Sequence, residues 1–210
     1  MSLKIFNDII VLLANALRFY ALKHFVGIFV QKEESRWKHV SILYIIGWAW
    51  TSAISLLFSS PAMNILSNIT SLFLIFFPYR IKKTKKCLAV FVIYVINALV
   101  DSIVILSLTK YTMGQPVNQV CECITSFALL FIAIIIQRTT EPEKEITLPA
   151  LNMAALLMVP VVSIVYIYYL IIVAHEIKEI VIFASLALLI INILIFYLYH
   201  SLLKFYSARM

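Results

Sequence analysis

Charged side chains make up only 13% of the 210 residues, against 63% apolar. A chain so poor in charge cannot coat a water-soluble core of that composition, which excludes an ordinary soluble globular domain. Glycine is scarce as well, with only Gly27, Gly47 and Gly114. They form no small-xxx-small seam of the GxxxG type. Together with the lack of a repeat between the two halves, this argues against an inverted-repeat transporter with broken helices. The three cysteines, Cys87, Cys121 and Cys123, are odd in number and have no paired Cys or His spacing, so neither a disulfide framework nor a zinc site is indicated. His24, His39, His175 and His200 fall near the ends of apolar runs and form no HExxH-like set. No metal or cofactor is expected. One Lys precedes the first apolar run and no small-residue cleavage pattern follows it, so that segment does not read as a removable signal peptide.

What the chain has in abundance is Ile, Leu and Val, in runs of about twenty, each long enough to cross a hydrocarbon layer of roughly 30 Å as a helix. The runs are continuous rather than alternating with period two, which excludes a transmembrane barrel. The fold class expected is therefore all-α, a polytopic transmembrane helical bundle. Seven spans are placed at Ile5–Val30, Val40–Phe58, Pro61–Phe77, Cys87–Leu108, Val117–Ile136, Ala150–Val173 and Ile180–Tyr199. The count falls to six if span one, which carries Arg18, Lys23 and His24, ends near Leu22 and continues along the interface with its basic side chains snorkelling. Pro61, Pro78, Pro116, Pro142 and Pro149 lie at span ends, where a missing N–H costs little. Pro160 alone is mid-span and should kink helix six.

The net charge of +7 sits in short clusters between the spans, where it reads as a topology signal rather than a nucleic-acid footprint. Twelve basic residues fall in the first, third and fifth connections and the tail, among them Lys32, Arg36, Arg80, Lys82, Lys85, Arg138 and Lys204. The other side has three: Lys4, Lys110 and Lys178. Basic residues are retained in the cytoplasm. The tail is therefore expected inside and the N-terminus outside, in a multi-pass protein of a bacterial plasma membrane.

Ionisable groups within a span are expensive and are functional candidates by default. On span four, Asn97 and Asp101 are four apart on one helix face, with Tyr94 alongside. Span one carries Asp8, Asn15 and Arg18 on one stripe, and Arg18 matches Asp101 in depth and charge as an internal counter-ion. Span three adds Asn64, Asn68 and Ser71; span five adds Glu122 near its outer mouth. These groups imply a water-accessible cavity opening outside, built from helices one, three, four and five. Interhelical hydrogen bonding without any ligand explains the same residues. The candidate ligand-binding or switch positions are Asn97, Asp101, Tyr111, Met113 and Glu122. Neither carboxylate is followed along its helix by another, so a proton path has no continuation.

Small membrane peptidases pair Cys with His, and Cys87 and His39 share the cytoplasmic side. They lie on different connections without further support, so no catalytic residue is assigned. Beyond span seven, Ile195, Leu198, Leu202, Phe205 and Arg209 keep three-and-four spacing with no Gly or Pro, so the helix should continue into the cytoplasm. Residues 1–199 thus read as a membrane bundle and 200–210 as the start of a connecting helix. Ser185, Asn192 and Tyr199, at intervals of seven, mark a seam that suits a homodimer or ordinary bundle packing.

Several stretches resemble the membrane sensor part of the Agr-type peptide quorum-sensing histidine kinases, which carry a GHKL ATPase domain. They are NDIIVLLANALRFYALKHF from Asn7, NILSNI from Asn64, YVINALVDSIVILSL from Tyr94, LPALNMAALLMVPVVSI from Leu148 and INILIFYLYHSLLKFYSARM from Ile191. The likeness is of architecture and spans nearly the whole chain. It implies an extracellular ligand, often a small cyclic peptide, that docks on outer loops and cavity and shifts helices feeding a dimeric cytoplasmic kinase. This chain departs from the pattern after the last span, with no phosphoacceptor motif, no Asn-rich ATP box and no Gly-rich lid. The expectation is a sensor without enzymatic activity, its kinase domain outside this chain. A small-molecule binding or transport subunit is the alternative, and an Agr-type processing peptidase a third.

Overall fold

The structure is a computed structural model and describes residues 2–30, 40–58, 61–108, 117–140, 150–173 and 178–207. Backbone amides in a low-dielectric layer must bond within their own segment, and helices do this. Among the described residues there are seven: α1 (Ser2–Phe29), α2 (Val40–Leu57), α3 (Pro61–Phe76), α4 (Lys83–Leu108), α5 (Val117–Thr139), α6 (Ala150–Val173) and α7 (Lys178–Ser207). Five of them, α1, α2, α4, α5 and α7, are long and apolar enough to cross a membrane; α3 and α6 contribute the shorter apolar stretches Met63–Phe76 and Ala154–Tyr166.

The bundle is organised around α4, which packs against α1, α3, α5, α6 and α7. Its sequence explains that position. From Leu88 to Val100 the helix is apolar on every side, apart from Asn97, and a helix apolar all round belongs inside other helices. Buried residues make up 61% of its most apolar stretch, against 22–33% in the other four long helices. Outward-facing side chains such as Leu13, Ile45, Phe127, Phe131, Val165, Phe183 and Leu194 are exposed and apolar, the pattern expected where lipid rather than water is the neighbour.

Cross-helix contacts fix the directions. His24 and Gln137, both near the C-terminal ends of their helices, touch at 2.6 Å (Nδ1 to Oε1), and α1 lies along α5, so these two run parallel. Phe29 stacks against both Phe76, at 6.5 Å, and Tyr199, at 6.2 Å. The Lys86 ammonium donates to the Phe77 carbonyl at 3.2 Å, and Asn152 on α6 donates to the Tyr206 hydroxyl at 3.2 Å. The C-terminal ends of α1, α3, α5 and α7 therefore gather at one end of the bundle with the N-terminal ends of α4 and α6. Arg80, Lys82, Lys83, Lys85, Lys86, Arg138 and Lys204 lie at this end, called the basic end below.

Helix boundaries keep to the sequence reading in α1 and α7 and differ from it at the start of α4. Helix α1 does not stop near Leu22 but runs through Lys23 and His24 to Phe29; Lys23 is exposed and His24 has Gln137 as its partner, so neither charge nor ring forces a break. Helix α4 begins at Lys83, before Cys87, with Lys86 N–H bonded to the Lys82 carbonyl at 3.0 Å. Helix α7 continues without interruption to Ser207.

The seam at Ser185, Asn192 and Tyr199 is buried within the bundle, because α7 turns that face toward α4 and α6. It is therefore unavailable for pairing with a second copy. Helix α6 stays continuous through Pro160. The nearby Ser163 hydroxyl donates to the Val159 carbonyl at 2.9 Å. Asn192 of α7 in turn donates to Ser163 Oγ at 2.9 Å and to the Leu188 carbonyl at 2.8 Å. Ser163, three residues after the proline, thus ties α6 to α7. Gly47 is a second close contact: a Cβ there would stand 2.8 Å from Cε1 of the buried Phe19.

Asn192→Ala removes an interhelical hydrogen bond of the kind that contributes about 1 kcal/mol inside membranes. Gly47→Val overpacks α1 against α2 and costs about 1–3 kcal/mol. Thermal unfolding in detergent should therefore show both variants folded, with the larger fall in Tm for Gly47→Val.

Candidate functional site

The polar groups of α1, α4 and α5 meet inside the bundle. Arg18 lies mid-way along α1, where its stem crosses apolar neighbours, and its Nη2 donates to Asp101 Oδ1 of α4 at 3.2 Å. The two side chains are 12% and 32% exposed, so the guanidinium is largely desolvated and the carboxylate keeps partial access. Glu122, from the first turns of α5, is close enough to feel the charges of both. The guanidinium thus pairs with Asp101 and lies within electrostatic range of Glu122. Asn97 sits one turn before Asp101 and is buried, as is Tyr94; Thr125 is fully buried one turn after Glu122.

The cluster is incompletely satisfied. A guanidinium offers five N–H donors, yet Arg18 Nε is buried with no hydrogen-bond partner, and so are Asn97 Oδ1, Glu122 Oε2 and Thr125 Oγ1. Buried polar atoms are nearly always paired, because each orphan costs about 1–3 kcal/mol. Four such atoms thus gather on three neighbouring helices, without a partner among the described residues.

Not every polar residue of the spans joins it. Asn15, on the same stripe as Arg18, turns instead to α2 and donates to Ser52 Oγ at 3.2 Å. In α3, the Ser67 and Ser71 hydroxyls bond back to the carbonyls of Asn64 and Asn68, at 3.0 and 3.3 Å, and the helix packs chiefly on α2 and α4. Tyr111 and Met113 lie outside the described residues, as does His39, the histidine weighed against Cys87. The cysteines at 87, 121 and 123 are free, and no group of metal-ligating side chains occurs among the described residues.

A cavity lies apart from this cluster. Sequence reasoning puts a cavity among helices one, three, four and five; the structure has one of about 590 Å³ between α1, α2 and the C-terminal end of α5, toward the basic end. Its walls include Phe19, Tyr20, Tyr44, Ile45 and Trp48, with Lys23, His24, Tyr79 and Gln137 supplying polar groups. The Tyr44 and Tyr79 hydroxyls lie close enough to influence each other. Burial pushes the Tyr79 phenol above its usual range near 10. Both glycines that the structure describes border this region. Gly47 admits Phe19, and Gly27 admits Gln137, whose Nε2 would lie 3.0 Å from a Cβ. Those glycines, with the Lys23–His24 pair inside an apolar run, were the available sequence signal; Gln137, at the end of α5, gave none.

No family model, curated protein or solved structure matches this chain. The functional reading therefore rests on the two features just described, a buried charged cluster and an aromatic cavity at the basic end.

Breaking a buried pair by removing one partner leaves an uncompensated charge and costs about 3–5 kcal/mol, whereas replacing both with apolar groups is far less harmful. Asp101 is one-third exposed, so the lower end applies. Asp101→Leu is expected to destabilise by about 3 kcal/mol, and the double variant Arg18→Met/Asp101→Leu to recover at least about 1 kcal/mol of that loss. Denaturant unfolding of the four proteins of this cycle reads the coupling directly.

Proposed function

We propose that this chain is a membrane sensor module, in which an extracellular ligand biases two arrangements of the helices and α7 carries the difference to the cytoplasm. The observation that carries the reading is the Arg18–Asp101 ion pair, with Glu122 beside it, joining α1 and α5 to α4. A ligand that bonds the orphaned atoms of this cluster would prefer one arrangement over another, as any switching ligand must. Helix α4 packs on α7, so a shift at the cluster has a direct mechanical route to the last helix. In the proposed topology all seven helices cross a bacterial plasma membrane, with the N-terminus outside and the basic end facing the cytoplasm, where lysines and arginines are retained.

Within this reading the ligand is a small peptide, as the resemblance to Agr-type receptors implies. Asn97, Asp101, Glu122, Tyr111 and Met113 are its contact or switch positions, and Arg18 is the internal counter-ion. The output is a cytoplasmic histidine kinase, engaged as a homodimer. A second reading, a binding or transport subunit for a small molecule, is favoured by the cavity of about 590 Å³.

Two measurements separate these. Cysteine placed at Arg138 or Lys204 should resist a membrane-impermeant thiol reagent in intact cells and react after permeabilisation; reaction in intact cells reverses the topology and removes the sensor reading. Spin labels at the same two positions should show a changed interhelical distance when Asp101 is replaced by Asn, in a protein that keeps its helical content. An unchanged distance, together with substrate uptake by proteoliposomes, would favour the transport reading.

A further inference from the structure

The cavity at the basic end is separate from the charged cluster, and its construction points to a ligand of another kind. It is lined along α1 from Ala16 to Val30, which at 1.5 Å per residue is a trough about 21 Å long. Its volume of about 590 Å³ falls in the range of dedicated ligand sites. One part is aromatic and aliphatic, formed by Phe19, Trp48, Ile45 and Tyr44. Tyr20 and Ile45, 52% and 61% exposed, stand on its flank, so the trough opens sideways onto the apolar, lipid-facing surface and not only toward water.

The polar groups are concentrated further toward the basic end. Lys23 is exposed, lines the cavity and has no ion-pair partner among the described residues. His24 is oriented by Gln137 through Nδ1, while its Nε2 is buried with no hydrogen-bond partner. Ser41 and the Gln137 amide add further hydrogen-bonding groups. The described carboxylates that pair with or face cations, Asp101 and Glu122, belong to the other cluster. Positive charge and an unsatisfied ring nitrogen at one end, with a long apolar trough behind them, are complementary to an anionic head joined to an acyl chain.

We propose that this cavity is a binding site for one acidic phospholipid. Its phosphate is held by the Lys23 ammonium beside the His24 ring, and an acyl chain lies along Phe19, Tyr44, Ile45 and Trp48. The length and sideways opening of the trough select a membrane lipid over a free phosphate. The Lys23 ammonium at its polar end selects an anionic headgroup over a zwitterionic one, whose own cation would face Lys23. Gly27 and Gly47 serve the site indirectly: the first lets Gln137 approach α1 and hold His24, the second lets Phe19 approach α2 closely. The assignment rests on this geometry and not on the sensor reading.

The test is native mass spectrometry of the full chain released from nanodiscs, with phosphatidylglycerol, phosphatidylcholine or oleate offered in turn. One phosphatidylglycerol per chain should survive activation, with phosphatidylcholine retained at least tenfold less. Lys23→Glu, on an exposed position, should abolish the preference, and Ala16→Phe, which fills the trough from an exposed position, should abolish retention itself, both with unchanged helical circular dichroism. Equal retention of the two phospholipids, retention of oleate alone, or full retention by both folded variants overturns the proposal. Should Ala16→Phe fail to fold, Ile45→Trp fills the same trough from its opposite wall and decides the matter with the same readout.

Discussion

A guanidinium removed from water is tolerable only with a compensating charge beside it, and the placement of Arg18 in mid-helix imposes that condition on the whole assembly. Asp101 meets it, at 3.2 Å, and in doing so sets the register of α4 against α1. Glu122 brings α5 to the same point, and α1 and α5 must run parallel for it and the His24–Gln137 contact to form together. Apolar packing between helices in lipid is weakly directional, since lipid tails are as apolar as leucine. The charged cluster thus supplies the specificity that the many Ile, Leu and Val contacts do not.

The basic end solves a different problem. There the helices are held by aromatic contacts, Phe29 with Phe76 and Tyr199, and Phe76 with Tyr79 at 6.4 Å, and by side chains that reach backbone, such as Lys86 to Phe77. The cavity lies beside these rings, lined by α1 and α2. The chain has placed both of its described glycines beside it. A lysine and a histidine follow one another on the helix that forms its floor.

Much of this architecture is legible in the sequence because the hydrocarbon layer simplifies the problem. Continuous apolar runs can only be helices, and prolines at 61, 78, 142 and 149 mark their limits. The opposite charges of Arg18 and Asp101 are legible as partners for the same reason: few other groups at that depth can compensate either one. Legibility ends where the question becomes which helix stands beside which. Nothing in the spacing of Asn15 and Arg18 reveals that one turns to α2 and the other to α4. The inward direction of the Ser185–Asn192–Tyr199 seam is likewise decided by the position of α6 and α7 against α4. The cavity is lined by both α1 and α2, and Gln137 enters it from a helix more than a hundred residues distant in the chain.

The central position of α4 also bears on how such a protein can change over time. A helix with five neighbours has no free flank on which a new side chain can be accommodated, so a substitution between Leu88 and Val100 must be matched by others on several partners at once. Helices with a broad lipid-facing surface can exchange one aliphatic residue for another at almost no cost. Among distant descendants of this chain, the hub should therefore drift slowest, and the rim should be free to diversify around it.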